Sequence, residues 1–400
     1  MSLWAKQKII FELLYRQRGV LSCMEVPCRG RLSSHFYSAD SRPPDQLATL
    51  SLPMTQLNIP NDYPVDLIPP DISAYEGGNT GVPYIWTFDS GAPGPNVMVS
   101  AIVHGNEPCG AIALDWLFRN DVRPVQGRLT LGFMNIAAYL SFDPADPNAT
   151  RWMEEDFNCV RDKAVLKGDR DSVELRRTRE VRPILDDIDL LLDLHTMQHL
   201  APPLMMSGRL AKGKGLARKV GVPERIVGGS GHVAGRRMCD YGGFDDPSST
   251  KAVLLIECGQ YWKKASGLLA KESTVRFLEA MGTLEPGLLE LLENLYVPPS
   301  AQQLFNVRET VTITQETFTF VENFVGGAII RKAGTLIGHD GDIEIRTPVD
   351  DIMRVMPSKH LWKGQTAARL ANRGTEAVDQ IISLETLLKL YGATTRMSII

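Results

Sequence analysis

Three short clusters of histidine and acidic residues carry the chemistry of this 400-residue chain. They are His104-Gly105-Asn106-Glu107, Asp193-Leu194-His195 and Ile256-Glu257. A His and a Glu three positions apart can turn onto one cation, and Gly105 lets the backbone fold tightly between them. Imidazole nitrogen plus carboxylate oxygen is a zinc-type ligand pair. Catalytic zinc takes three protein ligands and keeps one position for water. His195 is the expected third ligand and Glu257 the expected base. The implied cofactor is one Zn2+ per chain. Asp193 precedes His195 by two positions, so along a strand both side chains share a face and the carboxylate can orient the imidazole. His199 and His232 are rival ligands, although Pro202-Pro203 argues against one helix carrying both His195 and His199.

Each cluster follows an apolar run of strand length. Val97 to Val103 leads into the first, Ile188 to Leu194 into the second and Ala252 to Ile256 into the third. In open α/β sheets, ligands bind outside the carboxyl ends of the strands, so three such ends can bring these residues together. Amphipathic stretches lie between the runs. Cys109 to Phe118, Ser172 to Asp186 and Ser273 to Leu295 read as helices. Pro83 to Asp89, Arg128 to Asn135 and Pro203 to Met206 read as further strands. Residues 208–221 read as a solvated basic helix and loop. The expected fold is α/β, a mixed sheet flanked by helices.

After Pro298-Pro299 the pattern changes to short strands between Gly- and Asp-containing turns: Thr310 to Thr314, Phe318 to Phe324, Ala328 to Leu336, Asp342 to Arg346 and Ile352 to Met356. The domain reading is therefore an α/β domain over 54–299, a smaller all-β domain over 300–372, and a closing helix, Thr375 to Tyr391, with a tail over 373–400. Residues 1–53 differ in composition and read as a poorly ordered extension, with Met54 an alternative first residue.

The formal net charge of −4 argues against nucleic acid or an anionic membrane as partner. No apolar run reaches the roughly 18 residues of a membrane span. The six cysteines show no zinc-finger spacing, so reduced thiols in the cytoplasm are the simpler expectation. Homo-oligomerisation is left open.

The three clusters, in their order and context, resemble those of the succinylglutamate desuccinylase/aspartoacylase family over about residues 80–370. The resemblance implies a carboxypeptidase-like α/β fold with a C-terminal β domain. It implies zinc on His104, Glu107 and His195, with Glu257 as general base and later proton donor. The segment Arg151-Trp152-Met153-Glu154-Glu155-Asp156-Phe157-Asn158 also matches; there the resemblance assigns Arg151 to the substrate carbonyl oxygen and Asn158 to a substrate carboxylate. Where the family pattern continues with arginine, this chain has Cys159. The missing guanidinium would form a bidentate bond to a carboxylate. Arg161, two positions on, is a candidate substitute. Arg236 and Arg237, on a Gly-containing loop, are candidates for acidic substrate groups.

The expected activity is zinc-dependent hydrolysis of an amide in a small N-acyl amino acid or related compound. The alternatives are a metallocarboxypeptidase acting on short peptides, which Cys159 disfavours, and a non-catalytic metal- or ligand-binding protein, which would close the metal with a fourth ligand.

Overall fold

Apolar runs too short to make helices pair instead into one long sheet. The structure, a computed structural model, describes residues 63–229, 235–292, 294–298, 300–323 and 325–374. The expected extension over 1–53, the helix over Thr375 to Tyr391 and the rival ligand His232 lie outside the described residues.

The strands are β1 (Ile85–Asp89), β2 (Asn96–Ala101), β3 (Arg128–Phe133), β4 (Leu190–Met197), β5 (Leu204–Gly208), β6 (Arg225–Gly228) and β7 (Ala252–Gln260). They continue with β8 (Gln303–Thr312), β9 (Phe318–Phe320), β10 (Ile329–Ile330), β11 (Leu336–Asp340), β12 (Ile343–Arg346), β13 (Ile352–Val355) and β14 (Thr366–Arg373). Eleven of them form one sheet in the order β1-β3-β2-β4-β7-β5-β6-β8-β14-β13-β10. The centre is parallel: β2 pairs with both β3 and β4, and β4 pairs with β7. β5 runs antiparallel to β7. β6 pairs with β8 in parallel, so the main ladder continues past Pro298-Pro299 into the later strands. β12, β11 and β9 make a separate three-stranded antiparallel sheet.

Six α-helices among the described residues accompany the strands: α1 (Cys109–Arg119), α2 (Ile136–Leu140), α3 (Lys163–Lys167), α4 (Val173–Asp187), α5 (Ala211–Val220) and α6 (Lys264–Ala280). Strand side chains alternate between the two faces of the sheet. Val97, Val99, Leu192, Leu194, Leu254 and Ile256 pack on one face with residues of α1, α5 and α6. Met98, Leu191, Val253 and Leu255 pack on the other with Leu175, Val181 and Leu185 of α4. By the same alternation Ser100, Asp193, His195 and Glu257 belong to that second face. Every residue of β2, β4 and β7 is buried. A central Leu-to-Ala change in such a core costs about 2–5 kcal/mol.

Departures from the sequence reading include the following three elements. The expected helix over Ser273 to Leu295 is found as α6, starting nine residues earlier and ending at Ala280, just before Gly282 (φ +68°). The basic helix α5 presses its small residues onto the sheet: a Cβ on Gly213 would lie 2.0 Å from the Ser207 carbonyl oxygen. β14 was not expected at all. Its Thr-Ala-Ala-Arg-Leu-Ala-Asn-Arg sequence is rich in alanine and arginine, both strong helix formers. It is nevertheless a strand because β8 and β13 hydrogen-bond it from both sides.

Candidate metal centre

The loop after β2 begins with a strained residue. Ile102 is fully buried at φ +55°, a left-handed conformation unusual for a β-branched residue. It turns the chain sharply into His104. Gly105 then sits where no side chain fits, since a Cβ there would lie 2.3 Å from the Ala138 carbonyl carbon and 2.5 Å from the Thr150 carbonyl oxygen. The Gly105 N–H donates to the Arg151 carbonyl at 3.0 Å and ties the two loops together.

His104, Glu107 and His195 are each 2 % exposed, and they form a cluster whose ligand atoms all lie within 4.8 Å of one another. This group can hold a metal ion. His104 Nδ1 is 2.8 Å from Glu107 Oε1, and His195 Nδ1 is 3.2 Å from Glu107 Oε2. Ligand atoms sharing one zinc in tetrahedral geometry stand about 3.4 Å apart, so the spacing fits. Each imidazole also meets a second carboxylate through Nε2: His195 meets Asp193 at 3.0 Å and His104 meets Asp156 at 3.1 Å. A ring such as His195 that donates Nε2–H to a carboxylate keeps its Nδ1 lone pair for a cation, whereas His104 Nε2 also meets Arg151 Nη2 at 3.0 Å. Asp193 is itself held by the Ser100 hydroxyl at 2.7 Å. His195 and Glu257 are direct register partners on β4 and β7 and both lie within their strands, not beyond them.

The electrostatics follow the geometry. Burial would raise the Glu107 carboxyl, but His104 and His195 outweigh it and hold the group well below the usual range. Burial likewise opposes the charge on His195, and Asp193 and Glu107 overcome it, raising its pKa. Glu257 goes the other way. Burial pushes its carboxyl up to about 8, with His195 opposing and Glu107 adding to the rise. Its Oε2 is buried without a hydrogen-bond partner.

The remaining sequence candidates are divided by the fold. One cavity is bordered by His104, Glu107, Arg151, Asn158, His195, Arg237 and Glu257. Arg151 donates to Glu107 Oε1 at 2.9 Å and to the Tyr261 hydroxyl at 2.7 Å. Asn158 Nδ2 is 3.4 Å from His104 Nε2, and its side-chain oxygen is buried without a partner. Arg237 lies at the cavity but is matched by Asp240, at 2.7 and 3.1 Å. Arg161 stands elsewhere: it is 2 % exposed, donates to the Phe157 carbonyl and borders a separate small cavity with Tyr241. Arg236 is half exposed and points toward Asp162, 3.9 Å away. Cys159 does not line the cavity; Gly235 packs so closely on its backbone that a Cβ would lie 2.5 Å from its carbonyl oxygen. The rival His199 borders the cavity outside the metal cluster.

Residues the sequence reading did not assign complete the site. Asp156 lay inside the quoted motif, and its Asp-x-Asn spacing was the available signal for it. Tyr261, His360, Trp362 and Arg369 carried no motif and reach the cavity only through the fold.

No family model matches the chain, and no curated protein matches it. Solved structures do. The fold is similar to succinylglutamate desuccinylases from Vibrio cholerae (18 % identity, 74 % of this chain and 88 % of that one, TM-score 0.55) and Chromobacterium violaceum (14 %, 74 % and 90 %, TM-score 0.53). It is also similar to a succinylglutamate desuccinylase/aspartoacylase from Rhodobacter sphaeroides (20 %, 71 % and 87 %, TM-score 0.50). The chain has the mixed α/β fold of these proteins. No helix among the described residues is long and apolar enough to cross a membrane.

Proposed function

We propose that this chain is a zinc-dependent amidohydrolase of the succinylglutamate desuccinylase/aspartoacylase type, acting on a small N-acyl amino acid or related compound. The observation that carries the reading is the pair of imidazoles turned Nδ1-first onto Glu107, each backed by its own aspartate, beside a buried acid with an unpartnered oxygen. The resemblance in motif and fold supports it.

In this reading His104, Glu107 and His195 hold zinc. When bound, zinc supplies a Lewis acid that polarises the amide carbonyl and brings the pKa of water to about 7. Glu257 takes a proton from the attacking water. A cation held by His104, Glu107 and His195 would favour the ionised form of Glu257 that this step needs, against the burial that raises its pKa. Arg151, fixed by Glu107 and Tyr261, presents its guanidinium to the oxygen on which negative charge develops. Glu257 then returns its proton to the leaving nitrogen. Three protein ligands with a spare acid suit turnover better than a closed four-ligand shell.

The test is amine release from a panel of N-acyl amino acids and dipeptides by the purified zinc-loaded chain. Turnover of at least one N-acyl amino acid, lost in Glu257→Gln while zinc is retained, is the expected result. Absence of turnover across the panel, or full activity in Glu257→Gln, contradicts the reading.

A further inference from the structure

Most of the charged groups around the cavity have a partner among the described residues. Arg151 is matched by Glu107 and Arg237 by Asp240, while His104 and His195 meet Asp156 and Asp193. Arg369, on β14, borders the same cavity and is 4 % exposed. No carboxylate among the described residues forms an ion pair with it, and its Nε is buried without a hydrogen-bond partner. Strand pairing fixes its position: Arg369 stands opposite Thr310 of β8 on one side and Val355 of β13 on the other.

A buried guanidinium without an anion is costly, and the cost falls when a ligand brings the anion. Neighbouring groups do not supply one. Glu257 and Asp240 act on Arg369 only at a distance: neither forms an ion pair with it, and Asp240 is engaged by Arg237. Burial, and Arg237 behind it, depress Arg369 itself to about 10, so it is still a cation at neutral pH. A second observation bears on the same point. The chain has Cys159 where the resembled family has its carboxylate-binding arginine, and neither Cys159 nor Arg161 borders the cavity. The site thus lacks a guanidinium at one place and has an unmatched one at another.

Building on the hydrolase reading, we propose that Arg369 is the specificity-determining residue that docks a substrate carboxylate, in place of the arginine that Cys159 replaces. The planar guanidinium matches a carboxylate with two parallel hydrogen bonds, which a carboxamide cannot reproduce. The carboxylate that Arg369 docks belongs to the amine half or to the acyl half of that substrate, and the two probe pairs distinguish these.

Calorimetric binding and steady-state turnover on the full zinc-loaded chain test this with matched acid and amide probes. N-acetylalanine against N-acetylalaninamide reads the amine half; N-succinylalaninamide against its terminal carboxamide reads the acyl half. In the wild type one acid is expected to bind about 10- to 100-fold more tightly than its amide, the range of a charge-assisted hydrogen bond. Arg369→Gln should erase that preference by raising KM for the acid alone, with kcat within about threefold and zinc content unchanged. Arg369→Lys, which keeps the charge without the planar fork, should restore part of the preference and controls for folding. Equal binding of acid and amide in both pairs by the wild type, or an undiminished preference in Arg369→Gln, overturns the proposal. A wild type that hydrolyses acids and amides equally well overturns the Arg369 role alone. A wild type that prefers the acid and hydrolyses neither overturns the hydrolase reading alone.

Discussion

The cavity is built from two regions of different character. One wall is the parallel centre of the sheet, where β2, β4 and β7 deliver His104, His195 and Glu257. The other comes from the antiparallel strands after residue 300, where the segment from Met356 to Arg369 brings His360, Trp362 and Arg369. In the first wall both ring nitrogens of each imidazole are held, at distances of 2.8 to 3.2 Å, while Arg151 Nε, Asn158 Oδ1 and Glu257 Oε2 are buried without partners. In the second, His360 Nδ1, Trp362 Nε1 and Arg369 Nε are buried without partners. Under the proposed function the two walls divide the labour: the first would hold a metal and move a proton, and the second would recognise what is cleaved.

Substitutions can break that comparison, beginning with the first wall. His104→Ala and His195→Ala each remove a proposed ligand and should abolish both zinc retention after dialysis and all measurable turnover. Glu257→Gln leaves the ligands intact and should cost about 10²- to 10⁴-fold in kcat with zinc content unchanged. Asp193→Asn weakens the support of His195, and zinc affinity by competitive chelation should fall by about 10- to 100-fold.

The second wall should respond differently. Trp362→Ala should shift KM and substrate preference by less than about tenfold while leaving kcat and zinc content near wild type, the pattern of lost binding alone. An equal fall in kcat would erase the distinction between the walls.

The smallest effect sharpens the comparison without activity. In the metal-free protein the Glu257 carboxyl is raised from 4.5 to about 8 by burial, so between these values the folded state holds a proton that the unfolded state has lost. Stability should therefore fall as pH rises through this window. Glu257→Gln, which does not titrate, should remove part of that slope, on the order of 1 kcal/mol in the difference between urea unfolding at pH 5 and pH 8.

The two walls also differed in how legible they were. The first announced itself because fully buried parallel strands read as unbroken apolar runs, and each chemical residue follows such a run. Period-2 alternation even places Asp193 and His195 on one face before any coordinates are known. Strand ends were less well read: β4 and β7 continue beyond His195 and Glu257. The second wall was hidden. Alanine and arginine in β14 suggest a helix, and only pairing to β8 and β13 makes it a strand that carries Arg369 to the cavity. Arg161 misled for the converse reason. Its nearness in sequence to Asn158 says nothing of direction, and the backbone turns it onto the ring of Phe157, 4.4 Å away. Nor does sequence show that Asp240 already matches Arg237.

Zinc content, measured on the purified full-length chain after exhaustive dialysis against metal-free buffer and again after zinc titration, bears most directly on the central claim. One zinc per chain in the wild type, and essentially none in His195→Ala, is the predicted result. A wild-type chain that stays metal-free even when offered zinc would contradict it.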